Sequence, residues 1–263
     1  MRRVIGVEAP IYCLAIAAAV AVGCEPARAG GDLVTNGGFE STTLTGSYGF
    51  GSLYPSNQVT GWSTDGYAFD FAPNTADTTG AQGEYGLFAL WGPNNGSANG
   101  FTSTSPAGGN FIAADGDYQT LPISQTINGL TAGDSYVVKF DWAGIQQYGY
   151  TGATTEQWLV SLGGQTIDTP VANDASHGFT GWMSQSMKFT ATAPSESLSF
   201  LAAGTPSGLP PFTLLDGVSL SAVPEPATWS IMLVGLGGLG WLARRRRALS
   251  ATRLGQTVPS KPA

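Results

Sequence analysis

Charge is scarce in this sequence: Asp, Glu, Lys and Arg make up 11% of its 263 residues. Basic residues are the scarcer sign, 11 against 18 acidic ones, for a formal charge of −7. That balance excludes a generic nucleic-acid binder, whose affinity comes from clustered Lys and Arg on phosphates. There is one histidine, His177, and there are two cysteines, Cys13 and Cys24. So few ligands leave no room for a Cys₂His₂-type zinc site or for Cys–His nucleophilic catalysis. No G-x-S-x-G element occurs, and no E-x-D-x-x-E-like carboxylate cluster, which speaks against serine-dependent and glucanase-like hydrolysis.

Glycine, proline and aromatic residues are plentiful. The chain has 37 Gly and 16 Pro, without a repeating period, and 11% Phe, Trp and Tyr. Low charge with many aromatic rings argues for a folded core rather than disorder.

The sparse charge is also unevenly placed. Between Gly30 and Val223 only Lys139 and Lys188 are basic, against fifteen Asp and Glu, a net of −13. The other basic residues sit near the two ends. Such a middle region is repelled by anionic surfaces and open to cations such as Ca²⁺.

Residues 1–29 are expected to be a secretory signal peptide. Arg2 and Arg3 supply a positive start, residues 11–23 an apolar stretch, and Ala27-Arg28-Ala29 an A-x-A cleavage site. Both cysteines would leave with it, so the exported chain would have no disulfide. Ala21-Val22-Gly23-Cys24 also approaches a lipoprotein box, without its usual Leu, and Arg2-Arg3 a twin-arginine signal with ill-fitting flanks.

The other end carries three features in order. Pro224-Glu225-Pro226 breaks secondary structure, because each proline fixes φ and removes a donor. Residues 227–243 then run 17 positions without a charge. As a helix that is about 26 Å, the short end of a membrane span. Arg244, Arg245, Arg246 and Arg247 close it and would hold that end in the cytoplasm, with the body on the other side. An ordinary buried helix beside a basic linker explains neither the order nor the place. Residues 248–263 are expected to be a disordered cytoplasmic tail.

This arrangement resembles the PEP-CTERM sorting signal of exopolysaccharide-producing Gram-negative bacteria. The stretch from Pro224 through Trp229 to Ser230 looks like its PEPxxWA variety, with Ser in place of the last Ala. The resemblance implies processing by an exosortase, a transient inner-membrane anchor facing the periplasm, and a final place at the cell surface or in the extracellular matrix.

The middle, residues 30–222, reads as one all-β domain. Short apolar or alternating segments at 32–39, 67–71, 85–91, 110–114, 123–127, 135–143, 157–162, 181–190, 197–201 and 212–220 predict strands. Turn residues such as Asn36-Gly37-Gly38, Asn94-Asn95-Gly96 and Gly163-Gly164 separate them. This spacing predicts a sandwich or jelly roll. Tyr136, Val138, Phe140 and Trp142 share one face of their strand, with Lys139 and Asp141 on the other. Strict alternation in the last strand puts Phe212, Leu214, Val218 and Leu220 on one face, with Asp216 among them, where a carboxylate needs a partner.

The order Asn36-Gly37-Gly38-Phe39-Glu40, Gly61-Trp62, Ser124-Gln125-Thr126-Ile127, Gly129-Leu130-Thr131-Ala132-Gly133-Asp134 and Leu214-Leu215-Asp216-Gly217-Val218 resembles the galactose-binding-like jelly rolls, including many carbohydrate-binding modules. The fold class is therefore a jelly-roll β-sandwich, flanked by the signal peptide and a single C-terminal transmembrane helix. The resemblance implies that first and last strands lie close, bringing Glu40 and Asp216 together as a structural Ca²⁺ site. A solvated Glu40 and a bulge at Asp216 would be the plain alternative, and Gly217 replaces a polar residue usual there. Asp115-Gly116-Asp117 is read as a solvated acidic turn, short of the ligands of an EF-hand loop.

Sugars bind proteins by stacking on aromatic rings, with amides and carboxylates holding their hydroxyls. Trp91, Gln146, Tyr148 and Trp158 are the candidate carbohydrate-binding residues, although tryptophans also fill sandwich cores. The expected function is an exported surface or matrix protein that binds exopolysaccharide without catalysis. The alternatives are a purely structural surface protein and a polysaccharide hydrolase.

Overall fold

In the computed structural model, residues 31–83 and 86–223 are described, and all of them fall within one unit, Ala29–Pro224. The signal peptide, Pro224, Glu225, Pro226, Trp229, the span at 227–243, Arg244 to Arg247 and the tail lie outside the described residues. Among the described residues no helix is long and apolar enough to cross a membrane.

Thirteen strands are present: β1 (Tyr48–Gly49), β2 (Ala68–Phe71), β3 (Ala81–Gly83), β4 (Gly86–Phe88), β5 (Phe111–Asp115), β6 (Ile123–Asn128), β7 (Ser135–Gln146), β8 (Thr154–Leu162), β9 (Gln165–Asp168), β10 (Ala172–Asp174), β11 (Met183–Thr190), β12 (Ser195–Thr205) and β13 (Pro211–Ala222). The one helical element described is a short 3₁₀ turn at Pro93–Asn95. The strands form an eight-stranded sheet, in the order β11-β7-β13-β5-β2-β1-β3-β4, and a five-stranded sheet, β10-β8-β12-β6 with β9 beside β8. All pairings are antiparallel except β1 with β3. The described residues are all-β, as expected of residues 30–222.

The two sheets bury one core between them. Val138, Phe140 and Trp142 of β7 and Leu215, Val218 and Leu220 of β13 meet Trp158 and Val160 of β8 and Leu198 and Phe200 of β12. The small sheet alternates strictly, buried and half-buried along β8, because its outer face meets solvent. The large sheet does not. Its outer face carries a second core, in which Phe69, Phe71, Phe88, Phe111, Ile145 and Phe212 pack under loops that bring Leu90, Phe101 and Ala76. Phe69 and Phe88 stack with centroids 4.2 Å apart. Strands β2 and β5 are consequently buried at every position.

Two expectations need correction. Phe212 and Leu214 point into the outer core, whereas Val218 and Leu220 point between the sheets. The cause is a bulge in β13. Asp216 pairs with Asp141 and Ser219 with Lys139, so Gly217 and Val218 both oppose Phe140. Gly217 has φ +60, the left-handed conformation that such a bulge asks of its first residue. The segment 32–39 is not a strand. Asn36 and Phe39 both take positive φ, and isolated bonds tie it to β13: Leu33 N–H to Leu220 C=O (2.9 Å), Val218 N–H to Gly37 C=O (2.9 Å) and Leu220 N–H to Asp32 Oδ1 (2.9 Å).

Candidate functional site, a tyrosine-lined cleft at one sheet end

Antiparallel order brings the start of β2, the end of β5, the end of β7 and the start of β13 to one end of the large sheet. The loops leaving them are tied together there. Gly116 N–H bonds to Pro211 C=O (2.8 Å) and Tyr67 N–H to Gln119 C=O (3.1 Å). Asp115 closes its own turn, its Oδ1 accepting from the N–H groups of Asp117 (2.8 Å) and Tyr118 (3.1 Å). Asp117 reaches across to accept from Gly208 N–H (2.9 Å).

These loops enclose a cleft of about 520 Å³ whose lining includes Tyr67, Asp115, Asp117, Tyr118, Gln147 and Tyr150. Tyr118 stands edge-on to Tyr67 with centroids 5.4 Å apart. Tyr118 is 43% exposed and Tyr150 39%, so rings and polar groups share a surface open to water. Burial pushes Asp115 up to about 6, against the pull of the two turn amides. The acidic turn read as merely solvated is thus a wall of the cleft. Its sequence signal was an Asp-Gly-Asp-Tyr run just after a strand end.

The sequence-proposed sugar residues divide. Tyr148 is 47% exposed and stands edge-on to Trp91 at 4.6 Å. Trp91 stacks on His177 at 4.0 Å and donates its Nε1–H to Tyr150 C=O (2.9 Å). This trio does not line the cleft; the Trp91 bond ties it to the loop that carries Tyr150. Trp158 and Gln146 do not line the cleft either. Trp158 is fully buried between the sheets, its Nε1–H donated to Leu214 C=O (3.0 Å). Gln146 is equally buried, donating to Gly152 C=O (3.0 Å) and accepting from His177 N–H (3.0 Å). Alternation along β8 turns Trp158 inward, and Gln146 ends a strand whose two faces are both covered.

Glu40 and Asp216 both border Gly38. A Cβ on Gly38 would lie 3.9 Å from each of them. Asp70 joins them, and Glu40 and Asp216 both act on its charge. Burial, with the neighbouring Glu40 charge, pushes Asp70 up to about 8; burial likewise pushes Asp216 up to about 7, opposed by bonds from Ser105 Oγ–H and Gly217 N–H. Asp70 Oδ2 accepts from Asn110 Nδ2 (3.2 Å), while its Oδ1 is buried without a hydrogen-bond partner. Oxygen-only donors and an orphaned carboxylate oxygen suit a hard cation. As these side chains stand, no group of three or more His, Cys, Asp or Glu among the described residues converges to hold a metal ion.

Residues 222–247 match the family model of the PEP-CTERM protein-sorting motif. That motif implies export and exosortase-dependent sorting to the cell surface. No curated protein matches the chain. Similar solved structures are mostly carbohydrate-binding modules. One is TmCBM61 in complex with beta-1,4-galactotriose, at 15% identity and TM-score 0.39, covering 74% of this chain and 99% of that one. Another is the CBM22-1 xylan-binding domain of Xyn10C from Paenibacillus barcinonensis, at 9% identity and TM-score 0.35, covering 75% and 98%. An N-terminal cellulose-binding domain from Cellulomonas fimi β-1,4-glucanase C covers 48% of this chain and 84% of its own, at 16% identity and TM-score 0.29. Likeness at these scores is loose, so a function has to come from the chain's own residues.

Proposed function

We propose that this is an exosortase-sorted surface or matrix protein whose sandwich binds a glycan in the cleft of Tyr67, Tyr118 and Tyr150, without catalysis. One observation carries the reading: half-exposed tyrosine rings share a concave surface with Asp115, Asp117 and Gln147. Rings offer flat apolar faces to sugar C–H groups, and the amide and carboxylates can hold hydroxyls. An acid–base hydrolase is disfavoured because Asp115 and Asp117 are both engaged by backbone amides that hold the loops. Exopolysaccharide is the ligand class that fits an exported matrix protein. The 17-residue stretch at 227–243 and Arg244 to Arg247 would anchor the precursor in the inner membrane until processing. Glu40, Asp70 and Asp216 would hold a structural Ca²⁺, which would neutralise their clustered negative charge.

Titration of neutral and acidic polysaccharides into the full chain tests the reading. Tyr118→Ala and Tyr150→Ala should each weaken binding about 10-fold, about 1.4 kcal/mol, and leave the circular dichroism unchanged. Absence of binding at millimolar ligand would leave a purely structural surface role.

A further inference from the structure

Half of the buried side-chain atoms that lack a hydrogen-bond partner fall in one place, far in sequence from Glu40. Of the ten such atoms among the described residues, five are Thr154 Oγ1, Glu156 Oε1 and Oε2, Asp174 Oδ2 and Thr213 Oγ1. The fold brings them together. Thr154, Glu156 and Trp158 alternate onto the inward face of β8. Asp174 pairs with Thr154 across the β8–β10 ladder, on the same face. Opposite them in the large sheet, Thr213 pairs with Gly144. Gly144 leaves room for Glu156, because a Cβ there would lie 2.5 Å from Glu156 Oε2.

Every orphaned atom in this group is an oxygen, and none of the four residues is more than 4% exposed. Two lysines are the only basic side chains between Gly30 and Val223, and both lie on half-solvated faces of β7 and β11, not in this core. Two carboxylates so placed are poorly accommodated alone. Burial pushes Glu156 up to about 8, opposed by the nearby Thr154 hydroxyl, which stands outside hydrogen-bond geometry, and reinforced by the Asp174 charge; burial pushes Asp174 up to about 7 against the pull of the Ala175 N–H. A carboxylic acid pair joined by its own hydrogen bond would satisfy two of the oxygens, but no such bond exists. Hydroxyls and carboxylates in one enclosed group are the donor set of a hard cation that takes six to eight oxygens.

We propose that Glu156, Asp174, Thr154 and Thr213 form an enclosed Ca²⁺-class cation site between the two sheets. It is separate from the Glu40–Asp70–Asp216 group and independent of glycan binding. The ion carries the charge that cancels the two carboxylates, and it locks β8 and β10 onto β7 and β13. Because its oxygens are buried, the ion enters as the chain folds and exchanges slowly.

Metal content of the purified full chain, with melting temperature in Ca²⁺ and in chelator, tests the site. Asp216→Asn removes the other carboxylate group from the comparison. That variant should still retain one Ca²⁺ per chain, and adding Glu156→Gln should remove it and the response of the melting temperature to Ca²⁺. If Asp216→Asn alone abolishes all bound Ca²⁺, or Glu156→Gln leaves it in place, the proposal fails. It also fails if Glu156→Gln raises the melting temperature equally with and without Ca²⁺, which marks a protonated acid in place of an ion ligand. Should Glu156→Gln fold poorly, Thr213→Val in the Asp216→Asn background deletes one ligand at nearly constant volume. Its Ca²⁺ affinity should fall about 10-fold with unchanged near-ultraviolet dichroism, and an unchanged affinity overturns the site.

Discussion

The two sheets solve the same burial problem differently. The small sheet has one dry face and one wet face. Its strands alternate, and Trp158, Val160, Leu198 and Phe200 all point to the shared core. The large sheet is dry on both faces over β2, β5, the end of β7 and the start of β13, because loops rich in Phe and Gly are folded back onto it. A face covered by loops cannot also be an open binding groove. The candidate cleft lies instead at the sheet end, between the loops that leave β5 and β7 and the loop that enters β13, where Tyr67 packs against the loop-covered core. The core between the sheets makes the domain; the loop-covered core shapes the site.

The first way to break this contrast is in the shared core. Trp158→Ala removes a fully buried indole and its bond to Leu214 C=O. It should cost about 3–5 kcal/mol, read as a shift of the denaturant midpoint, with both sheets unfolding together.

Next is the loop-covered core. Phe88 stacks on Phe69 and packs at 4.5 Å on Phe212. Phe88→Ala should cost about 3 kcal/mol, but the loss should be regional. Amide exchange should quicken in β2, β4 and the loops over them, while β8 and β12 stay protected. Glycan binding should fall with it, since Tyr67 stands edge-on to Phe88 at 6.3 Å. Equal loss of protection in β8 and β12 would mean that the two cores are one cooperative unit.

Acid offers a reversible probe of both sheets. Asp70 and Glu156 are pushed up to about 8, Asp174 and Asp216 to about 7, mainly by burial. In the native state these groups hold protons that the unfolded chain has already released, so without metal, stability should fall as pH rises from about 4 to about 8. In chelator the melting temperature should therefore be highest near the acidic end of that window. Asp70→Asn should flatten the slope from the large sheet and Glu156→Gln from the small one. A melting temperature that climbs with pH across the window would show that these carboxylates are ionised and paired.

What the sequence disclosed follows the same division. The alternation of Tyr136 to Trp142 in β7 was readable because its first half has one wet face, and so were Ile123–Asn128 and the second half of β8. The all-β class and the sorting segment needed only turn residues and the order of three features at the C-terminus. The second core was not readable, since Ala68–Phe71 and Phe111–Asp115 show continuous burial with no period, and their partners come from loops whose folding no local pattern encodes. The strands β1, β3, β9 and β10 are two to four residues long, too short to carry a period. The cleft was missed for the same reason. Tyr67, Asp115, Gln147 and Pro210 are distant in sequence and meet only through strand order, whereas Trp158 drew attention as an aromatic ring although its place in an alternating strand buries it.

The smallest effect is expected at the bulge that separates the two faces of β13. Before Gly217 that strand faces its odd and even residues one way, and after it the other way; this is how Phe212 serves the outer core and Leu220 the inner one. The switch needs φ +60 at Gly217, a conformation that costs a residue with a Cβ about 1–2 kcal/mol. A Cβ there would also approach the Ala107 Cβ to 3.2 Å and Asp141 Oδ2 to 3.6 Å. Gly217→Ala should thus lower stability by about 1–2 kcal/mol, and Gly217→Asn by less, because Asn tolerates the left-handed region better. The loss should stay local: Asp216, whose Oδ1 accepts from Gly217 N–H (2.6 Å), would shift, while the cleft at the far end of the strand would keep its affinity. Equal stability of the Ala variant and the parent in denaturant titration would show that β13 can run through this point without the bulge, and the two faces would then not depend on it.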